Sequence, residues 1–207
     1  MIRISIDDSV SESNRFESLD SVGDVVNDVL AHLPPNRVVT SIWVDGAVVV
    51  RQQSSEALKG RLEAIRELQI HTADAHSFAA NGIDRAISDV ARLQKTLMLS
   101  AEFFRDDRKL EGNRIFLHCI EGLERFLDTI VLTRLATKFD FTRMEVDGIS
   151  FARLEKDFAS ILNGIVDCQM RQDFDALADK LEYELLPNFA SWMRALHQLR
   201  LSMHSNA

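Results

Sequence analysis

Three side chains of metal-ligand type lie close together in the sequence, where a predicted strand meets a predicted helix. They are His71, Asp74 and His76, and imidazole and carboxylate groups are common zinc ligands. Their spacing corresponds to no established zinc pattern, and the sequence offers no evident fourth ligand. We therefore retain this junction for an alternative function, a small-molecule or metal-binding helical bundle, and predict no metal and no cofactor for the chain.

Carboxylates on the predicted helices are the next candidates for chemistry. Di-metal bundles combine inward glutamates with Glu-x-x-His pairs, and no such pair occurs in the sequence. The nearest approach is His118 with Glu121 and Glu124, which flank an apolar stripe. Glu182 and Glu184 are two residues apart, so on a helix they face different directions. We expect all five to be surface groups.

Motifs that activate a nucleophile or cradle a phosphate are missing from the sequence. There is no Gly-x-Ser-x-Gly elbow, no Gly-x-x-x-x-Gly-Lys loop and no Gly-x-Gly-x-x-Gly pattern. Cys119 and Cys168 fall inside apolar helical patterns, where burial raises a thiol pKa and opposes activation. The sequence therefore predicts a protein that is not an enzyme.

Composition bounds the class of protein. The 207 residues are 46% hydrophobic and 27% charged, with a net charge of −8, which is ordinary for a globular chain. The acidic balance and the lack of a basic run argue against nucleic acid. No stretch approaches the roughly 18 apolar residues of a membrane span, and the N-terminus has no signal core. We expect a reduced, cytoplasmic setting and no membrane contact.

Residues 1–72 alternate strand and helix patterns. Ile2, Ile4 and Ile6 have the period-two spacing of a strand, and Asp45-Gly46 is a strong hairpin signal. The full predicted order is β-α-β-β-α-β, with elements at 2–6, 22–33, 38–44, 47–50, 54–65 and 68–71. This order is that of a split βαβ, ferredoxin-like module, and a β-grasp-like variant is the alternative.

Residues 73–207 have the spacing of four long amphipathic helices. The predicted second stripe consists of Phe116, Ile120, Leu123, Leu127 and Ile130, and the third runs from Phe151 to Cys168. Candidate N-caps of three of these helices are Thr72 or Asp74, Asp147 or Ser150, and Asp173. No flexible linker precedes them, so we predict an α+β protein whose small module packs on an antiparallel four-helix bundle.

The fourth helix carries the candidate partner-binding residues. Tyr183 lies off its apolar stripe, Pro187 predicts a kink, and Trp192 adds a second large aromatic side chain. Aromatic residues away from a core are enriched at protein interfaces. We predict that Tyr183, Pro187 and Trp192 contact a protein partner or a second copy of the chain.

Two segments, RVVTSIWVDG and DALADKLEYELLPNFASW, resemble segments of uncharacterised bacterial proteins, some of them associated with motility genes. The helical part is similar in outline to flagellar export chaperones, antiparallel bundles that clasp a flagellin terminus. The resemblance implies a chaperone- or adaptor-like role and transfers no functional residue. The sequence thus predicts a non-enzymatic protein-interaction module that binds a partner helix or self-associates.

Overall fold

The computed structural model describes residues 2–7, 9–10, 16, 18–49, 58–137 and 144–205, and it is a mixed α+β structure. The chain divides into two compact units, Met1–Phe78 and Ala79–Ala207. The strands of the first unit are β1 (Arg3–Ile6), β2 (Ser9–Val10), β3 (Arg37–Val44), β4 (Ala47–Val48) and β5 (Glu67–Asp74). Its helices are α1 (Val22–His32) and a short 3₁₀ helix (Leu62–Ala64).

The five strands form one sheet in the order β2-β1-β5-β3-β4. β1 and β5 are parallel, and the other neighbours are antiparallel. The ferredoxin-like prediction is corrected by this finding, because that fold pairs its first and last strands antiparallel. The observed order is that of the β-grasp arrangement, the alternative. The arrangement differs because β2 pairs with one edge of β1. Only the other edge of β1 is then open to β5.

Helix α1 covers one face of this sheet. Ser21 caps it, since its hydroxyl accepts from the backbone N–H of Asp24 while the Asp24 carboxylate accepts from the N–H of Ser21. The helix ends at His32, two residues before Pro34. The buried side of α1 and the inner side of the sheet share one apolar core: Ile4, Val22, Val25, Val26, Val29, Leu68 and Ile70.

The Asp45-Gly46 hairpin between β3 and β4 is confirmed, with φ of 49° and 82°. The predicted strand at 47–50 is shorter, since β4 ends at Val48. The predicted helix at 54–65 begins at Ser54 or Ser55, which lie outside the described residues. Within the described part, this stretch contains the 3₁₀ helix Leu62–Ala64.

The described part of the second unit is helical, with one small hairpin. Its elements are α2 (Ala75–Arg105, which begins in the first unit), α3 (Lys109–Thr137), β6 (Glu145–Val146), β7 (Ile149–Ser150), α4 (Phe151–Arg171), α5 (Phe174–Asp179), a π-helix (Lys180–Leu185) and α6 (Leu186–Ser205). Ser150 caps α4 and Asp173 caps α5 through side-chain oxygens that accept backbone N–H groups. The β6–β7 hairpin turns at Asp147-Gly148 with φ of 53° and 76°.

Helices α2 and α3 approach closely where glycines meet larger side chains. A Cβ on Gly82 would lie 2.8 Å from Oγ1 of Thr133, and one on Gly112 would lie 2.6 Å from the ring of Phe104. The buried hydroxyl of Ser100 donates to the carbonyl oxygen of Gly112 over 3.0 Å. Small residues thus set the distance between these two helices.

An aromatic cluster forms the centre of the second unit. Its ring centroids lie 5.2 to 6.1 Å apart, mostly edge to face, a favourable geometry for aromatic pairs. The cluster joins α3, α4 and α6 and consists of Phe126, Phe151, Phe158, Phe189 and Trp192.

Candidate partner-binding surface

The predicted ligand set at the start of α2 has other roles. Asp74 caps α2, because its Oδ1 accepts the backbone N–H of Ser77 over 2.9 Å. This bond is the main reason that the pKa of Asp74 is lowered. His71 lies in β5 opposite Ser41 of β3. Among the described residues, no group of three or more His, Cys, Asp or Glu side chains is placed to hold a metal ion.

A polar network that sequence reasoning missed joins β1, β5 and β3 at the end of the sheet. Asp7 accepts the Thr72 backbone N–H over 2.6 Å and the Thr72 hydroxyl over 2.9 Å, and Arg37 donates to it over 3.0 Å. Burial raises the pKa of Asp7, but the bonds from Thr72 and the charge of Arg37 outweigh that effect and lower it. The network connects the end of β1 to β5 and β3 through the Asp7 side chain.

The two cysteines are buried free thiols. Burial raises the pKa of Cys119 to about 12, so almost none of it is thiolate near neutral pH. Cys168 is on the buried side of α4. Neither residue has the electropositive, accessible surroundings of a reactive cysteine.

The three predicted partner-binding residues have different surroundings. Trp192 is 1% exposed and belongs to the aromatic cluster, so it adds nothing to the surface. Pro187 is exposed and lies two residues after Leu185, where the π-helix ends. At the end of that helix the N–H of Leu186 donates to the carbonyl of Leu181, five residues back. The predicted kink is thus a change of helical geometry before a proline that lacks a donor.

Tyr183 lies on the π-helix and is 64% exposed. The guanidinium of Arg105 lies 5.6 Å from its ring centroid and also bonds Asp179 over 2.7 Å and Glu182 over 2.8 Å. These two carboxylates raise the pKa of Arg105. The Tyr183 surface is therefore already engaged by a side chain of this chain, and a partner there would compete with Arg105.

A larger surface lies along α3 and α4, which are joined by a polar pair at each end. The amide of Gln169 donates to Oδ1 of Asn113 over 3.4 Å, and Arg134 donates to Glu155 over 2.7 Å. We call the line between these pairs the α3–α4 seam. It comprises positions spaced alternately by four and three residues: 113, 117, 120, 124, 127, 131 and 134 on α3, and 155, 159, 162, 166 and 169 on α4.

The α3 side of the seam is apolar and exposed. Leu117 is 56% exposed and Val131 is 53% exposed, and Ile120 and Leu127 between them are exposed as well. Helical spacing places these side chains on the side of α3 that carries Asn113 and Arg134. Leu135, also exposed, extends the row by one position.

The predicted second stripe is corrected by this surface. Ile120 and Leu127, assigned to the core from the sequence, belong to the exposed row. The side of α3 that is buried contains Phe116, Cys119, Leu123, Phe126 and Ile130. Two apolar rows lie side by side on this helix, and the sequence signal for the second was the 3-4 spacing of Leu117, Ile120, Leu127 and Val131.

The α4 side of the seam is apolar too. Ala159 and Val166 are exposed, and they lie four residues after Glu155 and three before Gln169, on the side of α4 that bonds to α3. Met170 is 79% exposed and adjoins this row. Single exposed apolar residues are ordinary, but a contiguous row on two neighbouring helices indicates an interaction surface.

Acidic groups lie beside the exposed row. Glu124 is at the middle position of the row. Glu121 and Asp128 lie on α3 along the outer side of the row. Glu121 pairs with His118 over 3.5 Å, whereas within the described residues no cation pairs with Glu124 or Asp128. An apolar row with unpaired carboxylates complements an amphipathic helix that carries lysine or arginine near the middle of its apolar face.

No helix within the described residues is long and apolar enough to cross a membrane. A family model described as "Domain of unknown function (DUF8042)" matches residues 82–195. The matched range is more than half of the chain and includes all of α3 and α4. Neither a curated protein nor a solved structure matches the sequence.

Proposed function

This chain belongs to the DUF8042 family, and we propose that it is a non-enzymatic protein-interaction module, chaperone- or adaptor-like, that binds an amphipathic helix of a partner along the α3–α4 seam. The single observation that carries the proposal is the exposed apolar row with polar pairs at both ends. The proposal includes a cytoplasmic setting, with which two buried free thiols are compatible.

The finer fold that we propose is an antiparallel four-helix bundle of α2, α3, α4 and the segment from α5 to α6. In such a bundle, two neighbouring helices present a shallow groove to solvent, and a further helix packs into it as a coiled-coil partner does. From Asn113 to Arg134 the seam is about 30 Å long. It therefore suits a partner helix of about 20 residues.

Charge favours a foreign helix over a second copy of this chain. Leu117 and Val131 are each seven residues from Glu124, so a two-fold arrangement that paired them would place Glu124 against Glu124. Two carboxylates at an apolar contact repel each other and lose hydration. A partner with a basic residue at that position forms an ion pair instead. The link to motility and export chaperones is part of this proposal, as a class of partner to test.

The test is co-purification of tagged protein from its native host, with bound proteins identified by mass spectrometry. We expect a specific partner with the wild-type chain and its loss with the double variant Leu117→Glu, Val131→Glu. The matched control is Met98→Glu on α2, because Met98 is 52% exposed and lies outside the seam. Circular dichroism checks that all variants are folded.

Three results would overturn the proposal. One is a partner that binds the double variant as well as it binds the wild-type chain. Another is recovery of no partner together with a strict monomer by light scattering. The third is a homodimer that the double variant abolishes, which would assign the seam to self-association.

A further inference from the structure

A second surface of the helical unit differs in charge from the rest of this acidic chain. It is an open groove of about 610 Å³ between α2 and α3. Three arginines line it, Arg85 and Arg92 from α2 and Arg125 from α3. Because Arg125 follows Glu124 directly, it is turned by about 100° around α3 from the seam. The groove therefore lies on a different side of α3 from the row that carries Glu124, next to Glu121 and Asp128.

The carboxylates of the groove are already engaged. Asp84 accepts from Nε of Arg200 over 2.8 Å, and Asp89 pairs with Arg92. Both pairs are formed within the helical unit, so neither aspartate is available to neutralise the two remaining arginines. Ser88 between them donates its hydroxyl proton to the backbone carbonyl of Asp84.

Arg85 and Arg125 form no ion pair or side-chain hydrogen bond with any residue that the structure describes. Arg125 lies over a gap left by a glycine, because its Nη2 is 3.7 Å from where a Cβ on Gly122 would be. That same Cβ would lie 2.7 Å from Leu93 of α2, so this gap is where α2 and α3 approach. The Arg125 guanidinium thus lies near the approach of α2 and α3 and lines the groove.

We propose that this groove binds an oxyanion, the phosphate group of inorganic phosphate or of a small phosphate monoester. Guanidinium groups present paired N–H donors that match phosphate oxygens, and two of them without carboxylate partners provide both charge and donors. The amide of Asn81, which also lines the groove, supplies a further neutral donor.

The test is titration calorimetry of the full chain with inorganic phosphate and, separately, with glycerol 3-phosphate, each against sodium chloride at equal ionic strength. We expect saturable binding that falls by about tenfold or more in the double variant Arg85→Gln, Arg125→Gln. Arg114→Gln is the matched control, because it removes an exposed α3 arginine outside the groove, and it should bind as the wild-type chain does. Tighter binding of the monoester assigns the site to organic phosphates, and equal binding assigns it to the free ion.

Thermal unfolding of each variant confirms that the fold is retained, since the two arginines contact solvent and their replacement should leave the unfolding temperature nearly unchanged. The proposal is overturned if phosphate binding is no greater than the chloride effect. It is also overturned if the double variant and the Arg114→Gln control bind phosphate equally.

Discussion

Nη2 of Arg134 lies 2.7 Å from Oε1 of Glu155, and this ion pair joins α3 to α4 at one end of the seam. At the other end Asn113 and Gln169 form a hydrogen bond. Apart from Glu124, the side chains of the α3 row between these pairs are apolar, yet they remain exposed and do not complete the core. Contiguous exposed apolar surface of this kind is typical of interaction sites, and it is the basis of the proposed docking role.

Neighbouring residues on α3 should respond differently to truncation. Ile130 is buried and Val131 is in the exposed row. We expect Ile130→Ala to lower the free energy of unfolding by about 2–5 kcal/mol, and Val131→Ala to change it by less than about 0.5 kcal/mol. Urea unfolding followed by circular dichroism measures both. Equal losses would show that the two rows are not separate.

Two glycines test the spacing of the helices. A Cβ on Gly82 would meet Oγ1 of Thr133 at 2.8 Å, whereas one on Gly164 would meet the flexible end of Lys180 at 2.8 Å. We expect Gly82→Ala to destabilise the protein by about 1–3 kcal/mol, since α2 and α3 must move apart. Gly164→Ala should be neutral or stabilising by up to about 1 kcal/mol, because Lys180 can turn away and alanine favours a helix. Thermal unfolding of both variants is the measurement, and the reverse order would contradict the close approach of α2 and α3.

The Asp7 network should make the first unit sensitive to acid. The pKa of Asp7 is lower in the folded chain than its ordinary value of 3.8. The stabilisation that Asp7 contributes is therefore complete at a pH above its pKa in the unfolded chain. It is lost as the pH falls through its pKa in the folded chain. We expect Asp7→Asn, which keeps a side chain tolerant of φ 53°, to cost about 1 kcal/mol at neutral pH.

The difference between Asp7→Asn and the wild-type chain should shrink below pH 4. A urea titration that follows native amide NMR signals of β5, at neutral pH and near pH 3, measures it. A difference that is unchanged between the two pH values would mean that the charge of Asp7 does not stabilise the sheet.

Burial and a high pKa should protect the thiol of Cys119. With a pKa of about 12, its thiolate fraction at neutral pH is about a thousandfold lower than that of a free thiol of pKa 9. We expect the folded chain to resist a thiol-disulfide reagent and to react at both cysteines in denaturant. Fast labelling of Cys119 in the folded chain would contradict its burial.

The fold was predictable where a local signal sufficed. The Asp45-Gly46 pair predicts its hairpin because both turn positions need positive φ. Glycine adopts positive φ freely, and aspartate tolerates it. Asp147-Gly148 forms the same turn, but its strands are two residues long, and a two-residue strand has no alternation to detect. The strand order was not predictable either, since β2 is equally short and its pairing with β1 decides where β5 enters the sheet.

The candidate site was hidden for a related reason. Period analysis assigns Ile120 and Leu127 to one buried stripe with Phe116, Leu123 and Ile130. Only the positions of α2 and α4 decide which of two adjacent rows is covered. Trp192 shows the converse. The sequence predicts a partner contact for its large aromatic side chain, whereas the structure places this side chain in the core. Tyr183 was placed correctly off the buried stripe, but its contact with Arg105 depends on a residue 78 positions earlier in the chain.

The most direct test of the docking surface is site-specific photo-crosslinking in the native host. A benzophenone amino acid is placed at Val131 in the exposed row and, as a control, at Met98. We predict a crosslink from Val131 to one partner, mapped by peptide mass spectrometry to an amphipathic helical segment with a lysine or arginine on its apolar face. Equal labelling from Val131 and Met98, or a crosslinked segment without helical periodicity, would contradict the account.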